Sequence, residues 1–255
     1  MTTAARRFGL VLAAATLAFA AGIAPPAAAQ VATPNPFDGN IRGLKLGLSA
    51  TAMPPGFINF ACGSNGAPPL QKIKGFADFK TCKPESHGLY EVAFEYDNIG
   101  DRIVDMFVED FGAAEGGLWL DRYVGTKVAG HPVVLSVLFD DAGIVQGIRA
   151  VTDSRARLDQ RRISNIMAVL LRNQYDPANW TCQTLPLAAG EQPIGNSYVK
   201  ERCETVYRND RRMITLRNFF RKAGQTGAND LGQFVDGDFE SSARWEVWSL
   251  SVSIN

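Results

Sequence analysis

Histidine is scarce in this chain, so an acid–base catalytic reading has little to work with. His87 and His131 are the only two in 255 residues. No serine stands in a G-x-S-x-G elbow, which removes the sharp turn that presents a hydrolase nucleophile. Phosphate-cradling glycine loops and EF-hand patterns are also missing. Neither histidine lies beside a cysteine and the cysteine spacings match no zinc pattern, so no metal or other cofactor is expected. An excess of charge of one sign is lacking too. Without Arg6 and Arg7, 24 of the 26 basic residues remain against 26 acidic ones, a net charge near −2. That gives no electrostatic case for nucleic acid or an anionic membrane. Beyond the N-terminal segment there is no run of about 20 apolar residues, so no spanning helix is expected.

The residues that are present give an address first. Arg6 and Arg7 precede an apolar Ala- and Leu-rich run over 10–21, and Ala27-Ala28-Ala29 follows two prolines just before Gln30. This is the pattern of a cleaved secretory signal over residues 1–29. No cysteine follows the run closely, so no lipid anchor is expected. The chain is 46% hydrophobic and 20% charged, enough apolar content for a packed core. Its cysteines are Cys62, Cys82, Cys182 and Cys203. An even count in an exported chain implies disulfides, with three possible connectivities. The favoured one joins Cys62 to Cys82 and Cys182 to Cys203, each closing a short local loop.

The most legible local structure lies in residues 130–152. Residues 133–139 and 144–152 are β-branched and apolar, and Asp140-Asp141-Ala142-Gly143 between them supplies the turn of a β-hairpin. Both faces of 133–139 are apolar, so a central strand covered on both sides is expected. Strands are also read over 76–83, carrying Cys82, and over 89–96. Val92 and Phe94 face one way there, and Glu91 and Glu95 the other. The period-two pattern returns over 198–207, 213–219 and 244–254. Helical spacing marks 101–111 and 159–174, the latter with Ile163, Ile166, Met167, Leu170 and Leu171 on one stripe. Ser49 is a possible cap for a short helix toward Phe60.

After the signal the chain divides into two parts, 30–157 and 158–255, with similar orders of events. Each has a helix-like segment, an aromatic two residues before a cysteine (Phe60 and Trp180), a Pro/Gly loop, a strand with the second cysteine and a hairpin return. The fold class expected is α+β, two tandem halves each with a helix on antiparallel sheet and one disulfide. In outline this resembles the β-lactamase-inhibitor-protein superfamily and the related outer-membrane assembly module of the SmpA/OmlA type. Gly43-Leu44-Lys45-Leu46-Gly47-Leu48-Ser49 is similar to the G-x-x-x-G-M-S opening that precedes the first helix of such modules. The missing lipidated cysteine and the prolines at 54 and 55 depart from that pattern. The resemblance implies binding to a periplasmic or outer-membrane protein and supplies no catalytic residue.

The function expected is therefore a non-catalytic, exported protein-binding module acting as scaffold, assembly factor or inhibitor. Candidate partner-binding residues are Trp119 and Tyr123, as loop aromatics, and the basic group Arg208, Arg211 and Arg212. The alternatives are a small-ligand carrier that uses the aromatics, or a hydrolase of unfamiliar type around His131 and Asp140.

Overall fold

The computed structural model describes residues 43–96, 125–174, 179–225 and 239–254. These all fall within one compact unit, Pro36–Asn255. Its frame is a sheet of ten strands in which every registered pair is antiparallel. In chain order the strands are β1 (Phe57–Cys62), β2 (Tyr90–Tyr96), β3 (Thr126–Val128), β4 (His131–Phe139), β5 (Val145–Thr152), β6 (Thr181–Thr184), β7 (Glu191–Gln192), β8 (Val199–Tyr207), β9 (Arg211–Lys222) and β10 (Glu240–Ser249). Two short helices, α1 (Leu158–Arg161) and α2 (Asn165–Gln174), and a 3-10 helix at Phe76–Thr81 complete it.

The strand order is β1-β2-β4-β5-β10-β9-β8-β6, with β3 beside β4 and β7 beside β9. Each half of the chain thus lays down four strands from an outer edge to the centre, and the two meanders meet at β5 and β10. That joint is a ladder in register, from Arg244 opposite Val151 to Trp248 opposite Gly147.

The β4–β5 hairpin forms as its composition dictates. All nine residues of β4 are buried. Asp140 Oδ1 accepts the backbone N–H groups of Ala142 and Ile144 at 2.9 Å each, and Gly143 takes φ +76°. Because side chains alternate across a strand, Val133, Leu135, Val137 and Phe139 enter the main core. There they join Val92 and Phe94 of β2, Ile148 of β5, Trp245 and Val247 of β10, and Met167 and Leu171 of α2. Leu138, Ile214 and Trp248 lie on the opposite face, where Leu89, Val252 and Ile254 cover them.

Four expectations are corrected. The fold is not a pair of helix-on-sheet halves: one continuous sheet runs through both, and among the described residues the first half contains no α-helix. Neither meander closes a core alone, because β5 and β10 complete each other. Residues 76–81 form a 3-10 helix and not a strand. Phe76 and Phe79 are three apart, the repeat of that helix, and both point into the aromatic cluster of Phe57, Phe94 and Phe139. Ser49 starts no helix. It bridges to Ile144, and Gly47 N–H donates to the Val145 carbonyl at 2.8 Å, so this segment lies along the central hairpin. The last strand ends at Ser249, where the Ser249 and Ser251 hydroxyls bond each other at 2.8 Å and the tail folds back over Trp248.

The helix expected over 159–174 is present but interrupted: α1 ends at Arg161 and α2 begins at Asn165. The segments 1–29 and 101–111 lie outside the described residues.

Candidate functional site

Two features of the sheet could carry function. The first is a charge cluster under the loops of one face. Arg149, in the middle of β5, is 2% exposed. Its guanidinium meets Glu246 of β10 at 2.7 Å, Glu91 of β2 at 2.9 Å and Glu85 of the loop before β2 at 2.6 Å. Glu91 also accepts the Ser136 hydroxyl at 2.6 Å and the Asn65 N–H at 2.5 Å. Arg244 adds a second cation, 2.8 Å from Glu246, and reaches back to the Asn65 carbonyl at 3.0 Å. Trp248 lies beneath, its indole N–H donating to Glu246 at 3.1 Å and its ring 5.6 Å from the Arg149 guanidinium. His87 Nε2 stands 2.7 Å from Glu85, near enough for an ion pair but off the line of a hydrogen bond.

Burial alone would raise the Glu246 carboxyl. The charges of Arg244 and Arg149, with their hydrogen bonds, outweigh it and hold the group below the usual glutamate range. Glu85 is shifted the same way: burial opposes, and the hydrogen bond and charge of Arg149 prevail. For Arg149, burial disfavours the charged form, and the three carboxylates more than restore it. Each carboxylate is engaged by Arg149, so the arrangement clamps loops 63–67 and 83–89 onto the sheet.

The second feature is the outer flank of α2. Asn165 N–H donates to Ser241 Oγ at 3.3 Å at the start of the helix, and Arg172 pairs with Glu201 at 2.7 Å at its end. Fixed at both ends, α2 turns Met167, Ala168 and Leu171 into the core. Ile163, Ile166 and Leu170 then face outward, 57%, 39% and 41% exposed. Ile166 and Leu170 are four apart on one flank of α2, and Ile163 stands in the turn just before it. An open groove of about 370 Å³ beside them is lined by Arg162, Ile163, Asn165, Ile166 and Phe219.

The residues singled out from sequence are scattered. Cys62 pairs with Cys82 and Cys182 with Cys203, one bond in each half. Cys182, Glu201 and Cys203 converge within 4.8 Å, but both sulfurs are committed to a disulfide and do not make a metal site. Arg208 is the first residue of the β8–β9 turn and Arg211 begins β9. The Arg208 guanidinium lies 5.0 Å from the Tyr207 ring, and Arg211 bonds Asp210 at 2.7 Å. Arg212 follows on β9 and, by alternation, faces away from Arg211. His131 begins β4 and Asp140 follows its end, roughly 30 Å away at the rise of a strand, so they do not form a pair. His131 is buried, which lowers its pKa and keeps the ring neutral. Asp140 holds the turn, and Asp141 accepts the Tyr90 hydroxyl at 3.0 Å. Trp119 and Tyr123 lie outside the described residues. Sequence reading missed the Arg149 cluster and the exposed flank of α2. The available signal for the cluster was a charged residue at the centre of an apolar strand.

No protein-family model, curated protein or solved structure matches this chain. Among the described residues, no helix is long and apolar enough to cross a membrane. Two disulfides with no free cysteine fit an oxidising, exported setting.

Proposed function

We propose that this chain is an exported periplasmic module that binds a protein partner through the outer flank of α2, in the manner of a scaffold, assembly factor or inhibitor. The observation that carries this reading is the ridge of Ile166 and Leu170 on a helix fixed at both ends, extended by Ile163 in the turn before it, three large aliphatic side chains exposed to solvent. Contiguous exposed apolar surface of this kind marks interaction sites, and a held helix orders little on binding. Arg208 in the β8–β9 turn and Arg211 and Arg212 at the start of β9 are a separate candidate for polar contact with an acidic partner.

The test immobilises the mature protein and captures partners from a cell-envelope extract. Wild type retains one stoichiometric protein. Ile166→Lys and Leu170→Lys lose it, and Leu70→Lys, at a 93% exposed site elsewhere, keeps it. Equal capture by all four proteins, or none by wild type, overturns the reading.

One observation favours a small-ligand carrier as the second reading. A groove of about 460 Å³ lies along β1, lined by Met53, Pro54, Pro55, Phe57, Phe60 and Phe76 among others. A small molecule carried through purification and displaced by Phe60→Trp would favour it.

A further inference from the structure

The two disulfides differ in their surroundings. Cys62 and Cys82 are both buried, within the main core. Cys182 lies on β6, which ends the sheet and whose four residues are all exposed. Its partner Cys203 sits directly opposite on β8, 1% exposed, with the two Cα atoms 4.0 Å apart. One cysteine of this bond is therefore on the exposed edge of the sheet and the other is buried.

Arg172 adds a charge at the bond. Its Nη1, positioned by the pair with Glu201, lies 3.1 Å from Cys182 Sγ and also contacts Cys203 Sγ. A guanidinium beside a sulfur favours thiolate over thiol. A sulfur with a stabilised thiolate is also the better leaving group in exchange. We infer that Cys182–Cys203 is a thiol–disulfide exchange site, opened by an external dithiol that attacks Cys182.

In the first step the thiolate of the dithiol forms a bond to Cys182 Sγ. The Cys182–Cys203 bond breaks, and its electron pair leaves on Cys203 Sγ as a thiolate beside Arg172. In the second step the remaining thiol, deprotonated, attacks its partner sulfur and displaces Cys182. The external dithiol is oxidised to a disulfide, and its two protons end on Cys182 and Cys203 through solvent. The protein bond is reduced by two electrons. β6 is then held to β8 by its short ladder, Thr181–Glu204 to Thr184–Glu201. The inference does not depend on what occupies the α2 ridge.

The experiment treats the oxidised mature protein with dithiothreitol, alkylates at intervals, and quantifies both cysteine pairs by mass spectrometry after digestion. Cys182–Cys203 is expected to open roughly tenfold or more faster than Cys62–Cys82. Limiting glutathione is expected to leave its adduct on Cys182. Arg172→Gln slows opening by about three- to tenfold and Arg172→Lys restores most of it, with the Cys62–Cys82 rate unchanged. Equal rates for the two bonds, an adduct on Cys203, or no effect of Arg172→Gln would overturn the inference. The rate ratio and the adduct position are read on wild type, so they decide even where Arg172→Gln loosens the fold.

Discussion

Arg149 is the residue on which the centre of the sheet depends. It ties β5 to β2, to β10 and to the loop carrying Glu85 through three carboxylates. Gly63 is set by the same cluster, since a Cβ there would overlap the Glu91 carboxylate. Arg149→Ala leaves Glu91 and Glu246 buried without their shared cation. A broken buried pair of this kind costs about 3–5 kcal/mol, which a denaturant titration reads directly. Acid acts on the same contacts. Glu246 and Glu85 have folded pKa values below their unfolded ones. Each therefore contributes stability that is fully present above the unfolded value and is lost as pH falls through the folded one. The melting temperature of wild type is expected to fall from roughly pH 5 downward. That decline is expected to be shallower in Glu246→Gln, which has one titrating carboxylate fewer; equal slopes would count against the cluster. Sequence reading placed Glu91 on the mixed face of its strand, which is correct, but nothing local to Arg149 announced its partners. They lie 58, 64 and 97 residues away, and only the sheet order brings them together.

At the scale of the element, the hairpin of β4 and β5 was legible because the turn chemistry and the apolar runs agree. The β8–β9 hairpin was legible as well, and its turn residues Arg208 and Asn209 take φ +51° and +56°. The 3-10 helix was misread because a single aromatic pair three apart looks much like part of a strand over so short a span. For α2, spacing alone gathered five aliphatic residues onto one stripe. The stripe is wider than the buried arc, so Met167 and Leu171 go inward while Ile166 and Leu170 remain outside, and the break at 162–164 leaves Ile163 exposed in the turn. Two neighbouring leucines separate these roles. Leu171→Ala is expected to destabilise the protein by about 2–5 kcal/mol, as a core truncation does. Leu170→Ala is expected to change it by about 0.5 kcal/mol or less, as surface substitutions do. Similar losses for both would mean that the outer flank is covered in solution.

Among the described residues the sheet is two four-strand meanders fused edge to edge, with β3 and β7 beside them. Each half carries its own disulfide, and the halves share a charge cluster and a core. The pairing of each cysteine with its near neighbour was legible from the sequence, but the expected matching order of a strand with the second cysteine fails in the first half, where Cys82 closes a 3-10 helix. The fusion of the halves was not legible, because β5 and β10 pair over a separation that no local pattern encodes. The two outer edges also differ. β1 is capped by hydrogen bonds with Gln71 and Ile73, at 2.8 and 3.0 Å, while β6 ends the strand order. The central claim is that the ladder of β5 and β10, locked by Arg149 and Glu246, makes one cooperative body that holds α2 in place. Native-state hydrogen exchange across a denaturant series tests it most directly, comparing amides of β2 in the first half with amides of β9 in the second. The account predicts that the most protected amides of both strands share one opening free energy and one denaturant dependence. Separate values, with one half exchanging through its own unfolding while the other stays protected, would contradict it.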